Sequence, residues 1–170
     1  ALIILVLTFW FILENFNVVK FVNKIDSKFL TLFFILIVIQ IIFGAFLAGL
    51  NGGLLFNSWP DMNGKFFPDD ALYQDLFNTH SLSNPSLVQF YHRLIGYFLV
   101  IFLVLLNYFY YILNIELKSI LIFNISIIVQ IILGILTLLT GVNIYYASLH
   151  QLGSVFVLTS FIYIYYKNTN

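Results

Sequence analysis

The sequence predicts an all-α fold: a transmembrane four-helix bundle of up-down topology, built from an internal repeat of two hairpins and preceded by the end of a further helix. Three observations predict it. The chain of 170 residues is 62% hydrophobic and 8% charged, with a mean hydropathy of +1.02, where a soluble domain carries about a quarter charged residues. Four apolar stretches are each long enough to cross a hydrocarbon core, which takes about 20 residues. The first and third stretches share one motif, and the second and fourth share another.

Residues 1–13 run apolar from Ala1 to Leu13, interrupted only by Thr8. The run is too short to span, and it lacks the charged flank and cleavage site of a signal peptide. It is read as the tail of a preceding transmembrane helix, so the natural protein is expected to extend further towards its N-terminus. Residues 14–28 form a polar loop with Lys20, Lys24 and Lys28. The membrane domain, residues 29–170, then begins. Its spans are expected at Phe29–Leu50, Leu87–Leu113, Ser119–Thr140 and Ile144–Tyr166. A helix satisfies its own backbone in lipid, which an open strand does not. Between the first two spans lies a long loop, residues 51–86, whereas the later connections are short turns at 114–118 and 141–143.

Charge sets the orientation. Five of the seven basic residues, Lys20, Lys24, Lys28, Lys118 and Lys167, fall on one side. By the positive-inside rule that side is cytoplasmic, or the matrix side in an organelle, so 14–28 is a cytoplasmic loop and 51–86 faces outward. A net charge of zero with no basic run speaks against a nucleic-acid partner. Without cysteine there are no disulfides, thiolate metal sites or all-cysteine clusters.

The repeat carries the chemistry. Gln40-Ile-Ile-Phe-Gly44 in the first span returns as Gln130-Ile-Ile-Leu-Gly134 in the third, and His92-Arg-Leu-Ile-Gly96 in the second is answered by His150-Gln-Leu-Gly153 in the fourth. Two such hairpins would pack about a pseudo-twofold axis along the membrane normal. At about 1.5 Å per residue, both histidines sit roughly 8–9 Å below the outer boundary, and Gly44 and Gly134 reach the same level. Same-direction helices stand diagonally in an up-down bundle, so both imidazoles can point at its centre. Two imidazoles trans to each other make a six-coordinate haem iron with no open position. Gly44, Ala45, Gly96, Gly134 and Gly153 would leave room beside them for a flat macrocycle.

Each residue has a plainer reading. A lone histidine in a span is as often a hydrogen-bonded structural residue, but two at one depth inside a repeat favour ligation, since ionisable groups in a span default to function. The glycines could equally serve close helix packing, and Gln40 and Gln130 hydrogen bonds between helices. Arg93, the only arginine, either snorkels to lipid phosphate or neutralises a haem propionate. His80 reads as a solvated loop residue. Zinc is disfavoured because a third ligand at that depth is missing. There is no carboxylate pair at the histidine level, no nucleophile with a base and no phosphate loop, so no catalytic residue is assigned.

At these residues the chain resembles the haem A synthase family. The similar stretches are Gly44-Ala-Phe-Leu-Ala-Gly49, Asn57-Ser-Trp-Pro-Asp-Met-Asn-Gly64, Phe67-Pro-Asp-Asp70, Asn84-Pro-Ser-Leu-Val-Gln-Phe-Tyr-His-Arg93, Gln130-Ile-Ile-Leu-Gly-Ile-Leu-Thr-Leu-Leu139 and Leu149-His-Gln-Leu-Gly153. The Trp-Pro loop and the run before Arg93 look like the alphaproteobacterial and mitochondrial type. The resemblance implies eight spans in two similar halves, of which this chain is similar to the second half plus the end of the fourth helix. It implies an oxidoreductase that turns the methyl group of haem O into the formyl group of haem A for cytochrome oxidase, in a bacterial or mitochondrial inner membrane. It implies haem b held by the residues matching His92 and His150. Substrate haem and an acidic catalytic residue belong to the first half, so this chain alone should bind haem without converting haem O. Other partners it implies are the lipid bilayer, an unidentified electron acceptor, and a haem O synthase or a second copy of the chain. The competing expectations are a stand-alone b-type cytochrome and a bundle without cofactor.

Overall fold

The computed structural model describes residues 2–16 and 18–169. It is all-helical among them, with five α-helices: α1 (Leu2–Asn15), α2 (Ser27–Gly49), α3 (Pro85–Ile112), α4 (Lys118–Leu139) and α5 (Ile144–Asn168). Helices α2 to α5 are long and apolar enough to cross a membrane. The expected tail at 1–13 is helical to Asn15, and Ala1, Asn17 and Asn170, at the ends of or within the expected segments, lie outside the described residues.

Local chemistry fixes the helix ends within a few residues of the hydropathy boundaries. Asp26, Asn84 and Asn143 are N-caps whose side chains accept from first-turn amides, and Pro85 follows its cap at a position where no N–H is needed. These caps start α2 and α3 two residues before the apolar runs. Helices α3 and α4 both end in left-handed closures. Asn114 (φ 50°) follows α3, with Ile115 N donating to Tyr110 O at 3.1 Å. Gly141 (φ 63°) follows α4, with Val142 N donating to Thr137 O at 2.8 Å. Both are six-to-one closures that satisfy carbonyls a helix end otherwise orphans.

Helix α2 packs chiefly on α3 and α4 on α5, while α2 also meets α5 and α1 lies against α5. The two hairpins of the repeat therefore exist as units, and the histidine-bearing α3 and α5 stand diagonally. Between α3 and α4 the link is polar. Asn107 Nδ2 donates to Asn124 Oδ1 at 3.0 Å and Asn124 Nδ2 returns to Asn107 Oδ1 at 2.8 Å. A reciprocal amide pair in lipid contributes about 0.6–2 kcal/mol. A double-mutant cycle of Asn107→Ala and Asn124→Ala, read by unfolding in detergent, is expected to return a coupling of that size. Strictly additive losses would show that the two amides act independently.

Burial is unequal along the bundle. Phe33, Phe123 and Phe161, from three helices, are fully buried with centroids 4.9–5.6 Å apart. Leu30, Ile37, Leu106, Tyr110, Ile120, Ile127 and Leu158 pack around them. All lie in the half towards the lysine-bearing end. Towards the loop end, among the described residues, α2 has no buried side chain beyond Ile37, α4 none beyond Ile127 and α5 none before Val157. The four helices thus share a tight core on the lysine side of the membrane midplane, and at the loop end the buried side chains are those of α3, Ser86 to Phe90, and of the loop packed on it.

The lysine end is closed by its own cations. Lys20 Nζ donates to Tyr166 O (2.9 Å) and Thr169 Oγ1 (2.6 Å) and lies 3.1 Å from the Tyr166 ring centre. Lys24 Nζ reaches Thr169 O at 2.7 Å. Both ammonium groups sit where the dipole of α5 is negative, which favours cations. Burial, with the neighbouring Lys24 charge, lowers the Lys20 pKa, and Glu14 partly offsets this.

Candidate functional site

The loop end of the bundle brings the two span histidines together. His92 on α3 and His150 on α5 face each other with ring centres 6.5 Å apart and planes at 78°. Each comes from the first half of its helix, so the matching depths expected from the repeat hold in three dimensions. His80 lies exposed in the loop before α3, apart from this pair.

Glycine decides how the rings sit. A Cβ on Gly44 would stand 3.2 Å from His92 Cε1, and one on Gly134 would stand 2.9 Å from His150 Cε1. Both glycines therefore make room for the imidazole of the facing helix, which gives the packing reading a definite content. The converse holds one turn along. Gly96 faces Gln40, with 3.6 Å from its would-be Cβ to Nε2, and a Cβ on Gly153 would overlap Gln130 Oε1. Within each hairpin a histidine and a glutamine thus interlock with two glycines, so the partly buried polar side chains pack against backbone.

The glutamines hold the rings. His150 Nδ1 lies 3.0 Å from the Gln130 carbonyl oxygen, and Gln130 Nε2 donates to His150 O at 2.6 Å. Gln40 Nε2 lies 3.2 Å from His92 Nε2. Three polar atoms here are buried without a hydrogen-bond partner among the described residues: His92 Nδ1, Gln40 Oε1 and Gln130 Oε1. Unpaired buried polar atoms cost about 1–3 kcal/mol each and are uncommon. Their concentration around two facing imidazoles makes this level the candidate site.

The donor set fits a metal bound between the rings. Two imidazoles trans across one ion, each at a metal–nitrogen distance of about 2 Å, have ring centres roughly 6 Å apart. That is close to the 6.5 Å observed. Among the described residues no group of three His, Cys, Asp or Glu side chains converges, so a tetrahedral protein-only site is not assembled. A cofactor that brings most of its own donors would need from the protein only the two imidazoles that meet here.

Arg93, next to His92, is half-buried and turned to the loop. Its Nη1 donates to Asp61 O at 2.6 Å and its Nη2 to Phe56 O at 2.9 Å, while Nε is buried without a partner. Three further α3 side chains that sequence reasoning did not single out do the same work. Gln89 Nε2 donates to Phe56 O (3.0 Å), Tyr91 Oη to Leu76 O (2.8 Å) and Tyr97 Oη to Pro60 O (3.1 Å). Asn57 Nδ2 carries the loop across to Leu138 O of α4 at 2.9 Å. Phe56, Met62, Phe67, Leu87 and Phe90 give the loop a small core of its own. The residues between α2 and α3 are therefore a folded cap over the histidine level, fastened to both hairpins. A signal for it was present: Gln89 is a third glutamine in apolar sequence. The loop carboxylates are engaged locally, Asp70 with Ser86 Oγ at 2.6 Å, Asp75 with Leu72 N at 2.9 Å and Asp69 with Lys65 at 3.6 Å.

With this geometry in hand, similarity to known proteins is informative. The family model COX15-CtaA, described as cytochrome oxidase assembly protein, matches residues 1–162. A protein of Pelagibacter ubique named Heme A synthase is 53% identical over 170 residues, all of this chain and 51% of that protein. Proteins of the same name from Wolbachia pipientis wMel and Rickettsia felis are 39% and 40% identical over 129 and 134 residues. Each of those matches takes in 76% of this chain, against 36% and 39% of the relative. The chain spans about half the length, or less, of the curated relatives it matches. No solved structure matches it.

Proposed function

Because the chain belongs to the COX15-CtaA family of cytochrome oxidase assembly proteins, we propose that it is the haem-b-binding half of a haem A synthase, with His92 and His150 as the residues that would hold the haem iron. The whole enzyme would oxidise the methyl group of haem O to the formyl group of haem A in the inner membrane, with this half serving a catalytic site elsewhere in the protein. One observation carries the reading: two imidazoles from separate spans face each other 6.5 Å apart at the level where the four-helix core stops.

When bound, haem b would supply a one-electron iron couple. The chain's own residues do the rest. Gln130 holds the proton of His150 on Nδ1 and leaves Nε2 as the donor atom. Gly44 and Gly134 let both rings lie back against the neighbouring helices. The capping loop, pinned by Gln89, Tyr91, Arg93 and Tyr97, excludes water from the loop side. Arg93 keeps unused guanidinium donors, including Nε, with which to meet a propionate, since guanidinium pairs well with carboxylate. Substrate, electron acceptor and any partner protein would meet the enzyme through surfaces beyond this pair.

Similarity along the whole chain to proteins named Heme A synthase favours this reading over a stand-alone b-type cytochrome. The test is pyridine haemochrome analysis of the purified full-length protein, with reduced-minus-oxidised spectra. One haem b assignable to this half, with a six-coordinate low-spin spectrum, is the expected result. Protein that is folded and free of haem after expression with ample haem supply would refute the proposal.

A further inference from the structure

The repeat places the same residues at the same offsets in both hairpins, yet the two histidines are held differently. In the α4–α5 hairpin, His150 Nδ1 meets the Gln130 backbone carbonyl. A carbonyl only accepts, so the proton sits on Nδ1 and Nε2 carries a free lone pair. The ring is pinned again by the return bond from Gln130 Nε2 to His150 O. In the α2–α3 hairpin the corresponding nitrogen is occupied: the Gln40 side-chain amide lies on His92 Nε2 at 3.2 Å. His92 Nδ1 and Gln40 Oε1 are both left buried and unpaired.

We infer that Gln40 is a displaceable partner of His92, so that the two axial positions are filled in order, His150 first and His92 second. The inference rests on the bis-histidine reading above and adds an asymmetry to it. His150 needs no rearrangement to offer a lone pair. His92 must first shed the Gln40 amide from Nε2. Turning that amide away is inexpensive, because it gives up one bond between neutral groups and frees an Oε1 that was unsatisfied. Nδ1 already faces the Gln40 backbone carbonyl, the acceptor its counterpart Gln130 provides, and a small ring adjustment would complete that bond. Gln40 is thus a positioning residue that covers one donor atom until the first contact is made at His150.

The experiment is stopped-flow mixing of haemin with the full-length apoprotein in detergent, followed by absorption. The wild type is expected to pass through a five-coordinate, high-spin species before reaching the six-coordinate, low-spin one. Gln40→Leu should leave the first phase unchanged and speed the second about three- to tenfold, the span of one net hydrogen bond. Gln40→Met repeats the test with an unbranched side chain should leucine disturb the contact with Gly96. His92→Ala should keep the first phase, and His150→Ala should lose it. A second phase unaltered in both Gln40 variants overturns the inference. So does a first phase that survives His150→Ala and disappears in His92→Ala. A wild-type protein that never becomes six-coordinate refutes the ligand reading itself, so the two failures are distinguishable.

Discussion

Alanine at His92 or at His150 is expected to abolish the six-coordinate low-spin spectrum of the purified protein, whereas His80→Ala leaves it intact. The loss should be complete rather than graded, for three reasons. The chain has three histidines and no cysteine, and the third histidine is exposed in the capping loop. No other group of His, Cys, Asp or Glu converges among the described residues, so nothing is placed to step in as a substitute ligand. The rings are also too well seated to be replaced by a neighbour, since each fills the notch of a glycine on the facing helix. The check is a reduced-minus-oxidised spectrum of each variant at matched protein concentration. If either span variant keeps the normal band, that residue is not a ligand.

The second large effect is expected at Gly134. A methyl group there would stand 2.9 Å from His150 Cε1, closer than carbon atoms tolerate, and the ring cannot yield cheaply because its Nδ1 is tied to the Gln130 carbonyl. Overpacking of this kind costs about 1–3 kcal/mol. Gly134→Ala should therefore weaken haem binding by roughly ten- to a hundredfold, by the conversion of about 1.4 kcal/mol per decade. Gly44→Ala should weaken it less, because the contact is 3.2 Å and His92 Nδ1 has no fully formed hydrogen bond to resist a shift of the ring. Gly49 has nothing within 4 Å of its would-be Cβ, so Gly49→Ala should be neutral within about 0.5 kcal/mol. Titration of haem into the three apoproteins gives the order directly. Equal losses at all three positions would mean that the glycines act through helix propensity and not through the rings.

Much of this was legible in the residues themselves. Hydropathy located every span, because a lipid core leaves only length and apolarity to vary. The matched offsets of His92 and His150 within a repeat put them at one level, because rise per residue is constant in a helix. Helix starts shifted by a residue or two, since a cap such as Asp26 or Asn84 lies outside the apolar run it begins. The capping loop was less legible. Its fold depends on Gln89, Tyr91, Arg93 and Tyr97 reaching backbone carbonyls far along the chain, and a carbonyl has no sequence signature. The role of Arg93 in fastening that loop was hidden for the same reason. Least legible was the difference between Gln40 and Gln130. Their sequence contexts are nearly identical, and only the packing of each hairpin shows which of them meets an imidazole with its side chain.

The cluster of Phe33, Phe123 and Phe161 stops short of the histidine level, where the buried side chains are those of α3 and the loop on it. That cluster belongs to the other half of the bundle, so substitutions at the histidine level should leave that core folded. If the proposed haem is held by His92 and His150, such a chain could be folded before it is loaded.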